Sequence, residues 1–134
     1  MSPQAVVAGH VFDGAKVHRD AAVVMDGVRI TAVVPRADLP RGMNTRVLRD
    51  DAWLAPGFID IQVNGGGDVL LNDTPTADAM SAIAAAHRPF GTTALLPTLI
   101  SDAPEKMQQA LAAVDTAAQR DPAVLGIHLE GPFL

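Results

Sequence analysis

The sequence predicts an α/β fold in which a small β-rich region precedes a segment of alternating strands and helices. Up to about residue 52, short apolar runs are separated by turn signals. From about residue 53, three apolar runs alternate with two stretches of good helix formers, which is the pattern of parallel βαβ units. With 134 residues and 49% hydrophobic residues, the chain is long and apolar enough to bury a core.

The first region is predicted to form a small antiparallel sheet. The apolar run at residues 5–12 ends at Asp13 and Gly14, a pair favoured in tight turns. Asp26 and Gly27 lie between two apolar runs, which is a strong hairpin signal. Residues 45–50 alternate polar and apolar side chains, as a half-exposed strand does.

The second region begins with a predicted strand at residues 58–64, which is followed by a loop of glycines at residues 65–67. Thr74 is a predicted helix N-cap because Pro75 suits the first helical position. The alanine-rich helix that follows is expected to end near Pro89 and Gly91.

The next strand is predicted at residues 92–100, and Ser101 or Asp102 is expected to cap a second helix at residues 104–120. A third strand is predicted at residues 124–131. Helices of this length between apolar strands imply parallel strands joined by right-handed crossovers.

Composition and charge argue against several functional classes. The net charge is −5 and the chain has no basic run, so a nucleic-acid or membrane-surface binder is not expected. The absence of cysteine excludes disulfides and thiolate metal sites. The N-terminus lacks the pattern of a signal peptide, and no apolar run approaches the roughly 20 residues that span a bilayer. We therefore expect a cytoplasmic protein.

The first parallel strand has one unusually polar face. Side chains alternate along a strand, so one face carries Phe58, Asp60, Gln62 and Asn64, and the other carries Ile59, Ile61 and Val63. The branched apolar face is expected to pack under a helix layer. Polar groups at the carboxyl end of a parallel strand mark the place where α/β barrels and open sheets hold their sites.

The third strand ends with a second polar group at the same edge. His128 and Glu130 share one face, and in a barrel this face would meet that of the first strand at a common mouth. A carboxylate there is suited to bind a divalent cation. Gly131 and Pro132 would then let the chain turn sharply.

Simpler interpretations remain open for each of these residues. Glu130 fits an ordinary solvated strand end, and His128 fits a hydrogen-bonded structural histidine. Asp60 suits an anchor for a neighbouring loop, while Gln62 and Asn64 suit caps for backbone groups. The glycine run fails the dinucleotide-binding pattern: counted from Gly65, the third glycine of that pattern would fall at Leu70, and the helix starts too late to direct its N-terminus at a phosphate.

Two segments together resemble the N-acetylglucosamine-6-phosphate deacetylases of the amidohydrolase superfamily. They are LAPGFIDIQVNGGGDVLLND (residues 54–73) and LGIHLEGPFL (residues 125–134). The resemblance implies a metal-dependent (β/α)8 TIM barrel flanked by a small β-sandwich. Residues 1–52 would then belong to the sandwich and residues 53–134 to the first βαβαβ segment of a truncated barrel.

The resemblance also implies residue roles. Glu130 would bind one divalent metal ion, most readily zinc, while Gln62 and Asn64 would line a metal site in which they replace two histidines of other amidohydrolases. Asp60 and His128 would have supporting roles. Two further histidine ligands and a general-base aspartate are expected beyond residue 134, so no catalytic residue is assigned here.

The implied reaction removes the acetyl group of N-acetylglucosamine 6-phosphate in amino-sugar catabolism, carried out by a full-length homodimer. The isolated chain is expected to be inactive. Two alternatives remain: a different amidohydrolase chemistry, or a non-catalytic truncated module that acts in interaction or structure.

Overall fold

The computed structural model describes residues 3–131 and divides the chain into two compact units, Met1–Pro56 and Gly57–Leu134. Pro132, for which a sharp turn is predicted, lies outside the described residues. The strands and helices, in chain order, are β1 Gln4–Phe12, β2 Val17–Asp26, β3 Arg29–Pro35, β4 Asn44–Val47, β5 Trp53–Leu54, β6 Phe58–Val63, β7 Gly65–Gly66, β8 Val69–Leu70, α1 Ala77–His87, β9 Thr92–Leu99, α2 Pro104–Arg120 and β10 His128–Leu129. Short 3₁₀ helices follow β3, at Arg36–Asp38, and α1, at Arg88–Phe90.

The first unit is one sheet in the order β3-β2-β1-β4, and β5 also pairs with β1. The prediction of an antiparallel sheet is wrong for two of its strands, because β4 and β5 run parallel to β1. After the two hairpins the chain crosses to the free edge of β1 and enters β4 in the direction of β1. Alternation of polar and apolar residues shows that a segment is a strand but does not show its direction.

The two predicted turns of this sheet are confirmed. Gly27 has a φ of 59° between β2 and β3, a left-handed conformation that glycine adopts without steric cost. Between β1 and β2, the Asp13 carboxylate accepts hydrogen bonds from the backbone N–H groups of Ala15 and Lys16, both at 2.9 Å. The same carboxylate contacts the ring of His18 at 2.6 Å.

Both faces of this sheet bury small apolar side chains. One face groups Ala8, Val11, Ala21 and Val23, and the other groups Ala5, Val7 and Ala22. The first face also borders an apolar cavity of about 240 Å³ whose lining includes Val11, Val23 and Leu54. Within residues 3–56, the structure shows a single sheet.

Trp53 and Leu54, which the sequence analysis placed at the start of the second region, pair with β1 in the first unit. The assignment of residues 1–52 to a sandwich domain and of 53–134 to a barrel domain stays a prediction.

The second unit contains a parallel sheet in the order β10-β9-β6. Helix α1 connects β6 to β9 and α2 connects β9 to β10, so consecutive strands are neighbours. This confirms the predicted βαβαβ segment. The third strand is shorter than predicted, because Val124 forms only an isolated bridge with Leu95 and regular pairing begins at His128.

Both predicted helices are present, but their N-caps differ from the prediction. Thr76 rather than Thr74 caps α1, with its hydroxyl accepting a hydrogen bond from the Ala79 N–H at 3.2 Å. Helix α2 has the predicted bounds, but its N-cap is Ala103, which has no side-chain cap. The carboxylate of Asp102, a candidate cap, instead accepts hydrogen bonds from Asn72 and from the Ala103 N–H and contacts Lys106.

The core of the second unit lies between the sheet and the two helices. Its largest fully buried side chains are Leu71, Met80, Ile83, Leu95 and Leu99. The expectation that the branched face of the first strand packs under helices is wrong for this chain, since Ile59 and Ile61 are 63% and 66% exposed. Helix α1 packs against β9 and against α2, and only Val63 of that face is buried.

No helix among residues 3–131 is long and apolar enough to cross a membrane.

Candidate metal site

The first and third parallel strands contribute the two side chains that meet at the candidate site. The Gln62 side-chain N–H donates a hydrogen bond to Oε1 of Glu130, across 68 residues of sequence. Gln62 lies on β6, and Glu130 directly follows β10. The predicted convergence of the two polar faces is therefore present in the structure.

A second contact joins the same two strands. The His128 ring, through Nδ1, donates to the backbone carbonyl of Ile61 at 3.1 Å. Strands β6 and β10 are separated by β9, which in a flat sheet would place them about 9.5 Å apart. Side chains from outer strands reach each other readily when the sheet curls toward that face, as a barrel sheet does. Thr98, the β9 residue paired with His128, is short and fully buried.

The remaining predicted site residues lie on or beside β6. The Asp60 carboxylate accepts a hydrogen bond from the backbone N–H of Gln62 at 3.1 Å, so it supports the strand locally. Asn64 is half-buried, and its side chain makes no hydrogen bond within the described residues. The structure thus joins Gln62 to Glu130 and Asp60 to Gln62, while it leaves Asn64 outside these contacts.

The chemistry of these donors fits one arm of a divalent metal site. Glu130 supplies a carboxylate, and Gln62 and Asn64 supply neutral amides, which are oxygen donors suited to hard cations. Between residues 3 and 131, no three His, Cys, Asp or Glu side chains cluster in a way that would hold a metal ion. Catalytic zinc sites use three protein ligands, so a zinc site that includes Glu130 would need further ligands.

The backbone that carries Glu130 is fixed to the end of β9. The Glu130 N–H donates to the Leu99 carbonyl at 3.0 Å, and the Ser101 hydroxyl lies 3.5 Å from the Glu130 carbonyl. A Cβ atom at Gly131 would lie 2.9 Å from the Ser101 Cα, so glycine is needed for this close approach.

Sequence reasoning missed Asn72, whose side chain lies 9% exposed just beyond β8. Its amide donates to the Ile100 carbonyl at 3.1 Å and to Asp102 Oδ2 at 2.9 Å, and its Oδ1 accepts from the Ile100 N–H at 3.0 Å. The Asn72 hydrogen bond is the main reason that the pKa of Asp102 falls to about 2, with smaller contributions from the Ala103 N–H and Lys106. An asparagine beside an aspartate near a turn carries no local signal of such a role.

The glycine run after β6 has a packing role. Gly65 and Gly66 form β7, which pairs antiparallel with β8. A Cβ atom at Gly66 would lie 2.8 Å from the His87 ring, which itself is hydrogen-bonded to the Gly65 carbonyl at 2.9 Å. The run is therefore a tight hairpin against the end of α1.

No protein-family model matches the chain. Among curated proteins, an N-acetylgalactosamine-6-phosphate deacetylase of Shewanella sp. (strain ANA-3) is 51% identical over 82 residues, covering 60% of this chain and 21% of that protein. An N-acetylglucosamine-6-phosphate deacetylase of Haemophilus influenzae is 35% identical over 117 residues, covering 87% of this chain and 30% of that protein. The chain thus spans less than a third of these relatives.

Comparison with solved structures also finds N-acetylglucosamine-6-phosphate deacetylases, and this chain again covers about a third of their length. An N-acetylglucosamine-6-phosphate deacetylase from Pasteurella multocida superposes with a TM-score of 0.91 at 31% identity, covering 98% of this chain and 35% of that one. The Mycobacterium smegmatis enzyme of that name gives 0.84 at 28% identity, covering 98% and 36%. An Escherichia coli guanine deaminase, at 14% identity and a TM-score of 0.56 over 90% of this chain and 34% of that one, shares the fold alone. The predicted fold class is confirmed.

Proposed function

The chain resembles the N-terminal portion of N-acetylglucosamine-6-phosphate deacetylases, and on this premise we propose the activity of the full-length protein. It hydrolyses the N-acetyl amide of N-acetylglucosamine 6-phosphate, giving glucosamine 6-phosphate and acetate in amino-sugar catabolism. The observation that carries the proposal is the contact of Gln62 with Glu130 at the carboxyl ends of the first and third strands.

In this proposal Glu130 is a ligand of one divalent ion, with zinc as the first candidate. Such an ion, when bound, lowers the pKa of a bound water and polarises the acetyl carbonyl. Gln62 holds one carboxylate oxygen of Glu130 by its hydrogen bond and leaves the other oxygen available. Asn64 lines the site, while Asp60 and His128 support it by fixing backbone groups of β6.

The other components of the enzyme lie outside this chain. Two histidine ligands and a general-base aspartate are expected in the rest of the full-length protein. That protein is proposed to be a cytoplasmic homodimer that binds no nucleic acid and no membrane. By itself the 134-residue chain is expected to be inactive, because one carboxylate does not hold a catalytic zinc ion. Metal-dependent acetate release by the chain alone at a normal enzymatic rate would contradict this expectation.

A second substrate is favoured by one comparison. The relative with 51% identity is named for N-acetylgalactosamine 6-phosphate, which differs from the glucose-type sugar only in the orientation of the 4-hydroxyl group. Acetate release should be measured with both phosphorylated sugars and with unphosphorylated N-acetylglucosamine. Preference for either phosphorylated sugar identifies the substrate, whereas equal hydrolysis of the unphosphorylated sugar contradicts the proposed substrate class.

The role of Glu130 is tested in the full-length protein with Glu130→Gln. We expect metal affinity and acetate release to fall by more than about 100-fold, because even partners behind a ligand change metal affinity by 10–100-fold. Glu105→Gln is a matched control, since Glu105 is exposed in the first turn of α2. Retention of full metal content and activity in Glu130→Gln would overturn the proposal.

A further inference from the structure

Asn72 is a buried amide whose polar atoms are all directed at the segment that follows β9. Both hydrogen-bonding ends of the side chain are used: Oδ1 accepts from the Ile100 N–H, and the Nδ2 group donates to the Ile100 carbonyl and to Asp102. A buried amide without partners is strongly unfavourable, and here every partner lies within three residues of the strand end. Asn72 therefore fixes the conformation of the chain where β9 stops.

The hydrogen bonds of Asn72 to Ile100 and Asp102 are called the Asn72 clamp below. One peptide group links this clamp to Glu130, the candidate metal ligand. The Leu99 carbonyl and the Ile100 N–H belong to the same planar peptide, in which the two groups point in opposite directions. The Ile100 N–H donates to Asn72 at 3.0 Å, and the Leu99 carbonyl accepts from the Glu130 N–H at 3.0 Å. The orientation that Asn72 imposes on this peptide is thus transmitted to the backbone of Glu130.

We propose that Asn72 is a positioning residue for Glu130: through the Leu99–Ile100 peptide it sets the direction from which the Glu130 carboxylate reaches its metal ion. The proposal rests on the proposed function, in which Glu130 is a ligand. Hydrogen bonds in a chain polarise one another, so loss of the first bond also weakens the second.

Two neighbouring contacts also hold the segment that the Asn72 clamp fixes. Gly131 lies against Ser101, so any shift of residues 99–101 moves the backbone on both sides of the Glu130 carbonyl. On the opposite side, Asp102 contacts Lys106 at 3.1 Å and ties the clamp to the first turn of α2. The Glu130 backbone is thereby tied through this peptide to an element outside the sheet.

The side chain at position 72 must carry both a donor and an acceptor. Asparagine satisfies the Ile100 N–H and carbonyl together, whereas an aspartate keeps the acceptor and loses the donors. It would also place a second carboxylate beside Asp102, where Asn72 now donates at 2.9 Å. Asn72→Asp should therefore disturb the strand end without removing volume.

The experiment uses the full-length protein, and its main readout is zinc affinity by competition with a chromophoric chelator. We expect Asn72→Ala and Asn72→Asp to lower zinc affinity by about 10–100-fold, the range found for partners behind metal ligands. The absorption spectrum of the cobalt-substituted protein should also change, because ligand geometry is altered. The double variant Asn72→Asp with Asp102→Asn restores a donor beside the new carboxylate and should recover part of the affinity.

Two controls separate positioning from general loss of stability. Ile83→Val removes one buried methylene group from α1, away from the strand ends, and should lower the Tm while zinc affinity and the cobalt spectrum stay unchanged. If Asn72→Ala does not fold, the Asn72→Asp single and double variants still test the idea by rescue.

The outcomes distinguish the inference from its premise. If Glu130→Gln abolishes zinc binding while folded Asn72 variants bind zinc as the wild type does, the positioning role is overturned and the proposed function stands. If Glu130→Gln binds zinc normally, the premise itself fails.

Discussion

Single amide side chains organise the strand ends around Glu130. Gln62 contacts the Glu130 carboxylate directly, while Asn72 acts on its backbone through an intervening peptide. Both side chains are neutral, so they orient a charged group without competing strongly for a cation. Two uncharged side chains thus orient the one carboxylate of the candidate site.

Asp13 provides a prediction at the residue scale. Contact with His18, followed by the Lys16 and Ala15 N–H groups, lowers the pKa of Asp13 from its usual 3.8. A carboxylate whose folded-state pKa is depressed contributes stability above the unfolded-state pKa and loses it as pH falls through the folded-state value. We expect Asp13→Asn to have a lower Tm than the wild type at pH 7. The difference in Tm between the two proteins should become smaller below about pH 3.8.

The measurement for Asp13 is thermal unfolding of both proteins between pH 7 and pH 2. Asp38→Asn is a control because Asp38 is exposed in a 3₁₀ helix. If the difference in Tm between wild type and Asp13→Asn stays constant across this pH range, the ionised form of Asp13 contributes nothing to stability.

At the scale of elements, strand and helix positions agree with the sequence pattern, while their ends and directions depend on neighbours. Helix α2 has the predicted bounds although neither candidate residue caps it. The carboxylate of Asp102 is occupied by Asn72, the Ala103 N–H and Lys106, so helix formers and packing define this helix without a side-chain cap. Helix α1, in contrast, has a side-chain cap two residues later than predicted.

The capping of α1 gives a prediction at the element scale. Thr76→Ala removes the hydroxyl that accepts from the Ala79 N–H and should destabilise the second unit by about 1 kcal/mol. Thr74→Ala is the matched control, because Thr74 is exposed and does not cap the helix. Urea unfolding of both variants checks this, and equal midpoints would argue against the Thr76 cap.

At the scale of the whole molecule, the second unit has a parallel sheet with an exposed apolar strand. Among the described residues, β6 pairs only with β9, and Phe58, Ile59 and Ile61 are 69%, 63% and 66% exposed. Unpaired strand edges with apolar side chains are sites of association between chains. The relatives that the chain matches are much longer, with this chain covering 21% to 35% of their lengths.

We therefore expect the isolated chain to self-associate through β6. Light scattering on a sizing column should show oligomers at micromolar concentration, and the pair Ile59→Lys with Ile61→Lys should shift the chain toward monomer because edge charges oppose strand pairing. Leu111→Lys is the control, since Leu111 is 46% exposed on α2, away from the sheet edge. A wild-type monomer under these conditions contradicts the prediction.

The alternative that the chain is a non-catalytic module can be tested by its unfolding. Such a module would unfold cooperatively with a Tm that neither zinc nor a chelator changes. The full-length protein, by contrast, should be stabilised by zinc, because an ion that binds only the folded state raises its stability by mass action.

Local sequence patterns predict the order and type of the elements, the hairpin at Gly27 and the two strand ends that carry Gln62 and Glu130. These follow from periodicity, turn residues and helix propensity, which act over a few neighbouring positions. The resemblance to the deacetylases depends on short motifs at the same two strand ends.

Three features depend on contacts between distant parts of the chain: the parallel direction of β4 and β5, the exposure of Ile59 and Ile61, and the hydrogen bonds of Asn72 to the end of β9. The physical reason is distance along the chain: Asn72 contacts Ile100 across 28 residues and Gln62 contacts Glu130 across 68. These contacts depend on how the strands are arranged in the sheet, which the residues near each position do not predict.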